Sequence, residues 1–247
     1  MSLGTGDARR AELAANLSEV RARIAAACAA VGRDPAEVTL IAITKTWPHA
    51  DVRHLVELGV KDLGENRDAE AAEKATVAAA AGLAGIHWHF VGQVQTNKAR
   101  SVAGYADAVH SVDRSRLVRA LSVGAVEAGR ELGVLIQVDL GPPVSGPPGS
   151  DQGRGGATPA GVLGLAEEIA AAEGLRLLGV MAVAPLGRPP GPAFDALVEA
   201  ASTLRSAHPG ATWISAGMSG DLEVAVGAGA THVRVGSGLL GNRPAAR

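Results

Sequence analysis

A primary amine, a strand-end arginine and two turns of small residues carry most of the chemistry this sequence offers. Lys45 stands just beyond Val38-Thr39-Leu40-Ile41-Ala42-Ile43, a run too short for a helix and β-branched enough for a strand buried on both faces. An amine in the low-dielectric mouth beyond such a strand has a lowered pKa and becomes a nucleophile toward carbonyls. Schiff-base formation is the chemistry it suits, although on position alone a solvated surface lysine is the stronger reading.

Its company lies near the C-terminus. Ser215-Ala216-Gly217-Met218-Ser219-Gly220-Asp221 leaves one expected strand and enters a helix, and Arg234-Val235-Gly236-Ser237-Gly238 leaves the next. Backbone N–H groups at such turns converge and favour an anion; ordinary turn chemistry is the alternative for either loop alone. Arg234, between Val233 and Val235, is costly to desolvate without a ligand or a carboxylate partner. His87 and His89 alternate on a strand and share a face. No third ligand accompanies them at metal-binding spacing, so packing or hydrogen bonding is expected and no metal.

The elements that must position these groups repeat. Leu13, Leu17, Val20 and Ile24 mark an amphipathic helix over 8–31, ended by Gly32. Strands are expected at 38–43, 60–63, 87–91, 108–111, 134–139, 175–183, 213–215 and 232–235, with helices opening near Pro48, Asp68, Gln95, Ser111, Pro159, Pro192 and Asp221. The segment 141–156, with Pro142, Pro143, Pro147 and Pro148, reads as a surface-loop insertion. About eight strand-helix units with continuous apolar strands predict one α/β domain over 1–247, a closed parallel (β/α)8 barrel with an extra N-terminal helix. Working groups in such barrels lie where strands end. The strand-end candidates are Lys45, Asn66, Gly92 with Gln93, His110, Asp139, Pro185, Ser215 and Arg234.

Composition narrows the classes. The 247 residues are 47% hydrophobic and 19% charged with net charge −2, and aromatics are 2%, so neither the basic surface nor the stacking platform of a nucleic-acid binder is expected. Cys28 is the single cysteine, which excludes an intramolecular disulfide and reads as a buried thiol. The charged N-terminus and the polar breaks in the most apolar window predict a cytoplasmic protein with no membrane segment.

An amine beside a phosphate-type site points to a phosphorylated aldehyde, and five motifs in order resemble one family. Ala42-Ile43-Thr44-Lys45-Thr46, Leu63-Gly64-Glu65-Asn66, Trp88-His89-Phe90-Val91-Gly92 with Gln95-Thr96-Asn97-Lys98, Gly217-Met218-Ser219-Gly220-Asp221-Leu222-Glu223 and Val233-Arg234-Val235-Gly236-Ser237 look like the YggS/PROSC family of pyridoxal phosphate homeostasis proteins, similar in fold to the N-terminal barrel domain of alanine racemase. The resemblance runs from about Glu12 to Gly241. It implies that Lys45 forms the internal aldimine with pyridoxal 5′-phosphate (PLP), that Ser215, Met218, Ser219, Gly236 and Ser237 hold the phosphate, that Arg234 faces the pyridine nitrogen, and that Asn66 and His89 belong to the cofactor pocket. Arg67, where an aromatic is common, and the 141–156 loop depart from the family pattern.

The resemblance further implies a protein that holds and transfers PLP, with apo PLP-dependent enzymes as partners and no established turnover. An arginine at the pyridine nitrogen leaves the ring a poorer electron sink. The one tyrosine, Tyr105, is expected at the barrel end away from the site. The second domain that gives alanine racemase its acid/base tyrosine is not expected, since the chain stops at Arg247, and a monomer follows. An amino-acid racemase with His89 as second base, and an aldolase-like barrel acting on sugar phosphates, are the competing readings.

Overall fold

The computed structural model describes residues 5–141 and 155–241. Most of the 141–156 insertion, residues 142–154, therefore lies outside the described residues. Eight parallel strands close into a barrel in chain order: β1 Thr39–Ile43, β2 Asp62–Glu65, β3 His87–Phe90, β4 Ala108–Val112, β5 Leu132–Gln137, β6 Leu175–Met181, β7 Trp213–Ser215 and β8 His232–Val235. The ring closes where Thr39 to Ala42 of β1 lie opposite His232 to Val235 of β8. Every residue of β4 and β8 is buried, because helices cover the outside and side chains fill the inside.

The helices are α1 Thr5–Ala30, α2 His49–Glu57, α3 Asp68–Ala80, α4 Ala99–Tyr105, α5 Ser115–Glu127, α6 Val162–Ala170, α7 Gly191–Ala207, α8 Leu222–Ala228 and α9 Ser237–Leu240. None of them is long and apolar enough to cross a membrane. α1 buries Leu13, Leu17, Val20 and Ile24 in one of the two large core clusters. Its polar side chains tie it across the β8 side of the barrel. Asn16 Nδ2 donates to Leu239 O at 2.9 Å, and Arg9 grips Asp51 and Leu240 O. Arg23 Nη2 donates to Ser219 O at 2.9 Å while its guanidinium pairs with Glu223, so the extra helix anchors one of the loops at the barrel mouth.

The boundaries differ from the sequence reading in three informative places. β2 begins at Asp62 and runs on to Glu65. It can do so because Gly64 leaves room for the β1 side chains; a Cβ there would lie 2.4 Å from Ile43 Cδ1. The helix expected from Gln95 divides into a 3-10 turn at Thr96–Lys98 and α4. The third difference is α9, a single turn immediately after Gly236, where the sequence predicts only a loop.

Candidate functional site

The strand C-termini open into a cavity of about 750 Å³ whose walls come from loops after β1, β2, β3, β7 and β8 and from the end of β6. Seven of the nine residues singled out from the sequence line it: Lys45, Asn66, Met218, Ser219, Arg234, Gly236 and Ser237. Ile43, Trp47, Val91, Met181 and Val183 supply the apolar wall. Ser215 and His89 do not line it; both are buried in the barrel interior beneath Arg234.

Lys45 rides on a turn held from below. Thr44 is fully buried, and its Oγ1 donates to Glu65 Oε1 at 2.6 Å. Lys74, from α3, is 3% exposed and donates from Nζ to Thr44 O, Glu65 Oε1 and Glu70 Oε1, each at 2.7 Å. Thr46 adopts φ +67°, a left-handed conformation that is rare for a β-branched residue and costs of order 1–3 kcal/mol. The Glu70 carboxylate accepts from Thr46 N, and Trp47 N donates to Thr44 O at 3.0 Å. These bonds over-determine the turn and so fix the direction in which Lys45 leaves it.

Burial pushes the Glu65 carboxyl up, and the bonds from Lys74 and Thr44 only partly oppose this. Burial acts the same way on Glu70, but Lys74 and Thr46 N–H outweigh it and hold that carboxyl below its ordinary range. The sequence reading missed this cluster. Its signal was the inward stripe Ala71, Lys74, Ala78 on an alanine-rich helix, which places one lysine on a face otherwise built for packing.

The other walls are as closely built. Asn66 has a buried Oδ1 with no hydrogen-bond partner among the described residues. Gly92 packs against the backbone of Asn66, where a Cβ would come within 2.4 Å of Asn66 O. The two small-residue loops are joined, since Gly238 N donates to Ser219 Oγ at 3.1 Å. Gly217 has φ +88° and would bring a Cβ to 2.6 Å from Ala225 Cβ, so only glycine turns the chain there. Gly217 O accepts from Arg234 N at 2.9 Å, linking the loop to β8.

Arg234 is 5% exposed and, among the described residues, has no carboxylate within ion-pair distance. Its Nη1 donates to Ser215 Oγ at 2.6 Å and its Nη2 to Ala182 O at 2.9 Å. Burial lowers its pKa to about 10, and it remains charged at neutral pH. Tyr105, at the end of α4, is not among the residues lining the cavity. Among the described residues no group of three or more His, Cys, Asp or Glu is arranged to hold a metal ion.

The alanine racemase N-terminal domain family matches residues 9–244. A pyridoxal phosphate homeostasis protein of Mycobacterium tuberculosis is 43% identical over 251 residues, spanning 95% of this chain and 94% of its own length. The protein of that name from Escherichia coli is 33% identical over 241 residues, spanning 94% and 97%. The chain belongs to the pyridoxal phosphate homeostasis protein family. Among solved structures, PipY of Synechococcus elongatus with PLP bound matches at TM-score 0.78 and 31% identity, over 93% of this chain and 100% of PipY. Alanine racemase from Corynebacterium glutamicum matches at TM-score 0.67 and 15% identity, over 96% of this chain and 62% of the racemase. At that identity the racemase shares the fold, and the family's likeness to it is a likeness of barrels.

Proposed function

We propose that this chain binds PLP at Lys45 and holds it for transfer, the homeostasis role for which its family is named. The observation that carries the reading is that Lys45 and the buried Arg234 face one cavity, together with both glycine-rich loops. The residues present fit the group. The cavity is within the size range of cofactor sites, a primary amine stands on its wall, and Asn66 leaves a buried acceptor unsatisfied.

PLP supplies an aldehyde that condenses reversibly with a primary amine, and an electron-withdrawing ring. Lys45 is the amine for that aldehyde. Ser219, Gly236 and Ser237 are the residues to hold the phosphate, through hydroxyls and backbone N–H groups at the mouth of β7 and β8. Arg234 can only donate, so it holds an acceptor atom without protonating it. The apolar wall of Ile43, Val91, Met181 and Val183 limits water at the site. His89 and Ser215 act on this site through Arg234, since neither lines the cavity.

Among the described residues lining the cavity, Lys45 and Arg234 are the titratable ones. None of the others offers the second base that racemisation needs to move a proton on the opposite face, a set that suits holding more than turnover. Apo forms of PLP-dependent enzymes are the acceptors this reading calls for, met in the cytoplasm by a monomeric barrel with an open mouth. The test titrates wild type and Lys45→Ala with PLP by visible absorbance, then mixes loaded protein with an apo PLP-dependent enzyme. Saturable binding lost in Lys45→Ala and recovery of the apo-enzyme's activity support the reading. Steady conversion of amino-acid enantiomers by the loaded protein, lost in Lys45→Ala, would replace it with the racemase reading.

A further inference from the structure

Beneath the cavity five side chains form a continuous line of hydrogen bonds through the barrel. Arg234 Nη1 donates to Ser215 Oγ at 2.6 Å, and His110 Nδ1 lies 3.0 Å from the same oxygen. His110 Nε2 is 2.9 Å from His89 Nδ1, and His89 Nε2 is 3.0 Å from Asp62 Oδ1. The first four groups are buried. Asp62 opens β2 at the opposite pole, partly exposed, where His87 Nδ1 also reaches its Oδ1 at 3.2 Å. His232 stacks on Trp213 at 3.9 Å and pairs with Thr231 Oγ1, so it stands beside the line without joining it.

With both rings neutral, the two ends set the direction of every link. A guanidinium only donates, and an ionised carboxylate only accepts. Ser215 accepts from Arg234, which leaves its single hydroxyl proton to donate to a bare His110 Nδ1. A neutral His110 then carries its proton on Nε2 and donates it to His89 Nδ1. His89 repeats the pattern and donates from Nε2 to Asp62. The surroundings agree with a neutral His110 and an ionised terminus. Burial above all, with the nearby charge of Arg234, holds His110 well below its ordinary range. Burial alone would raise the Asp62 carboxyl, but the bonds from His89 and His87 keep it below its usual value.

We propose that Ser215, His110 and His89 form a one-way relay that balances the buried charge of Arg234 with Asp62 at the opposite end of the barrel. The relay fixes both rings as neutral Nε2–H tautomers and strengthens each bond by polarising the next. It leaves Arg234 a permanent donor toward the cavity, where Asp221 acts on it through space and no carboxylate among the described residues lies within ion-pair distance to compete for a ligand. Ser215, His110, His89 and Asp62 are thus positioning residues for the site above. The existence of the relay rests on geometry, and its effect on PLP rests on the function proposed above.

Two measurements separate those claims. Long-range ¹H–¹⁵N spectra of the unloaded full-length protein at neutral pH should show His89 and His110 each protonated at Nε2 alone. An Nδ1–H tautomer or a doubly protonated ring at either position overturns the relay, whether or not PLP binds. PLP titration then reads its consequence. Asp62→Asn is isosteric and lies at the opposite pole, yet should weaken PLP about threefold to tenfold and shift the visible band. His110→Gln, which still accepts and donates, should stay within about twofold of wild type, while His110→Leu should lose more than Asp62→Asn. Wild-type affinity and spectrum in Asp62→Asn would overturn the proposed coupling. Should His110→Leu fail to fold, the other two variants decide. Failure of wild type to bind PLP would refute the functional reading while the tautomer spectra still judge the relay.

Discussion

Replacing Lys74 by methionine tests how the chain holds its amine in place. Lys74 Nζ makes three bonds of 2.7 Å, to Thr44 O, Glu65 Oε1 and Glu70 Oε1, in a pocket where Lys74 and Glu65 are 3% and 1% exposed. Methionine keeps the packing volume and removes the charge. Breaking one side of a buried pair costs about 3–5 kcal/mol, because the remaining charge is stranded. Glu65 limits the loss by taking up a proton, since burial already raises its carboxyl and Lys74 is a main opposing influence. We therefore expect about 3 kcal/mol at pH 7, a drop in Tm of about 6–12 °C for a chain of this length. A carboxyl whose folded pKa is raised favours folding at low pH and loses that advantage as pH rises through the folded value, so the deficit should grow from pH 6 to pH 8.5. Adding Glu65→Gln should recover more than half, because removing both charges is nearly neutral. Urea denaturation of the three proteins at both pH values is the assay. A loss below about 1 kcal/mol, or a double variant no better than the single, would refute the argument.

The remaining predictions follow from other parts of the barrel. His232 is pushed down to about 3 by burial, below its unfolded value of about 6.5, so the folded state binds fewer protons. Its contribution is complete above pH 6.5 and falls by about 1.4 kcal/mol per pH unit as the pH drops toward 3. His232→Phe should flatten the stability curve between pH 6 and 4.5 by about one proton, and an unchanged slope would contradict the buried neutral ring. Gly92→Ala sets a Cβ within 2.4 Å of Asn66 O, and should cost about 1–3 kcal/mol by thermal denaturation while weakening PLP, because Asn66 must leave the cavity wall. Equal affinity in that variant would remove Asn66 from the site. Gly179→Ala should not yield folded protein, since its Cβ would fall 1.9 Å from Trp213 O between β6 and β7; a wild-type circular dichroism melt would refute this.

Much of the architecture is legible because its cause is local. Short β-branched runs such as Val38 to Ile43 and Val134 to Ile136 can only be strands buried on both faces, and Gly32 and Gly59 close helices with φ of +68° and +82°. The glycine-rich loops at Gly217 and Gly236 are legible for the same reason. The continuation of β2 to Glu65 was not, because it depends on Ile43 filling the space over Gly64 and on Lys74 neutralising a buried carboxylate. Spacing predicts packing or hydrogen bonding for His89, and the family resemblance alone places it in the pocket. Its side chain instead bonds His110 and Asp62 in the barrel interior, and only the three-dimensional register of β2, β3 and β4 brings those residues together. By its sequence Arg234 calls for a carboxylate or a ligand; the structure answers with Ser215 and Ala182 O, partners that its neighbours in sequence do not announce.

The central claim is that Lys45 is the amine at which PLP is held. The most direct measurement incubates the full-length protein with PLP, reduces it with borohydride and maps its peptides by mass. The account predicts a yellow band that bleaches on reduction and a single phosphopyridoxyl mass on the peptide containing Lys45, absent in Lys45→Ala. Protein that stays colourless and unmodified in excess PLP, or a label on another lysine that persists in Lys45→Ala, would contradict it.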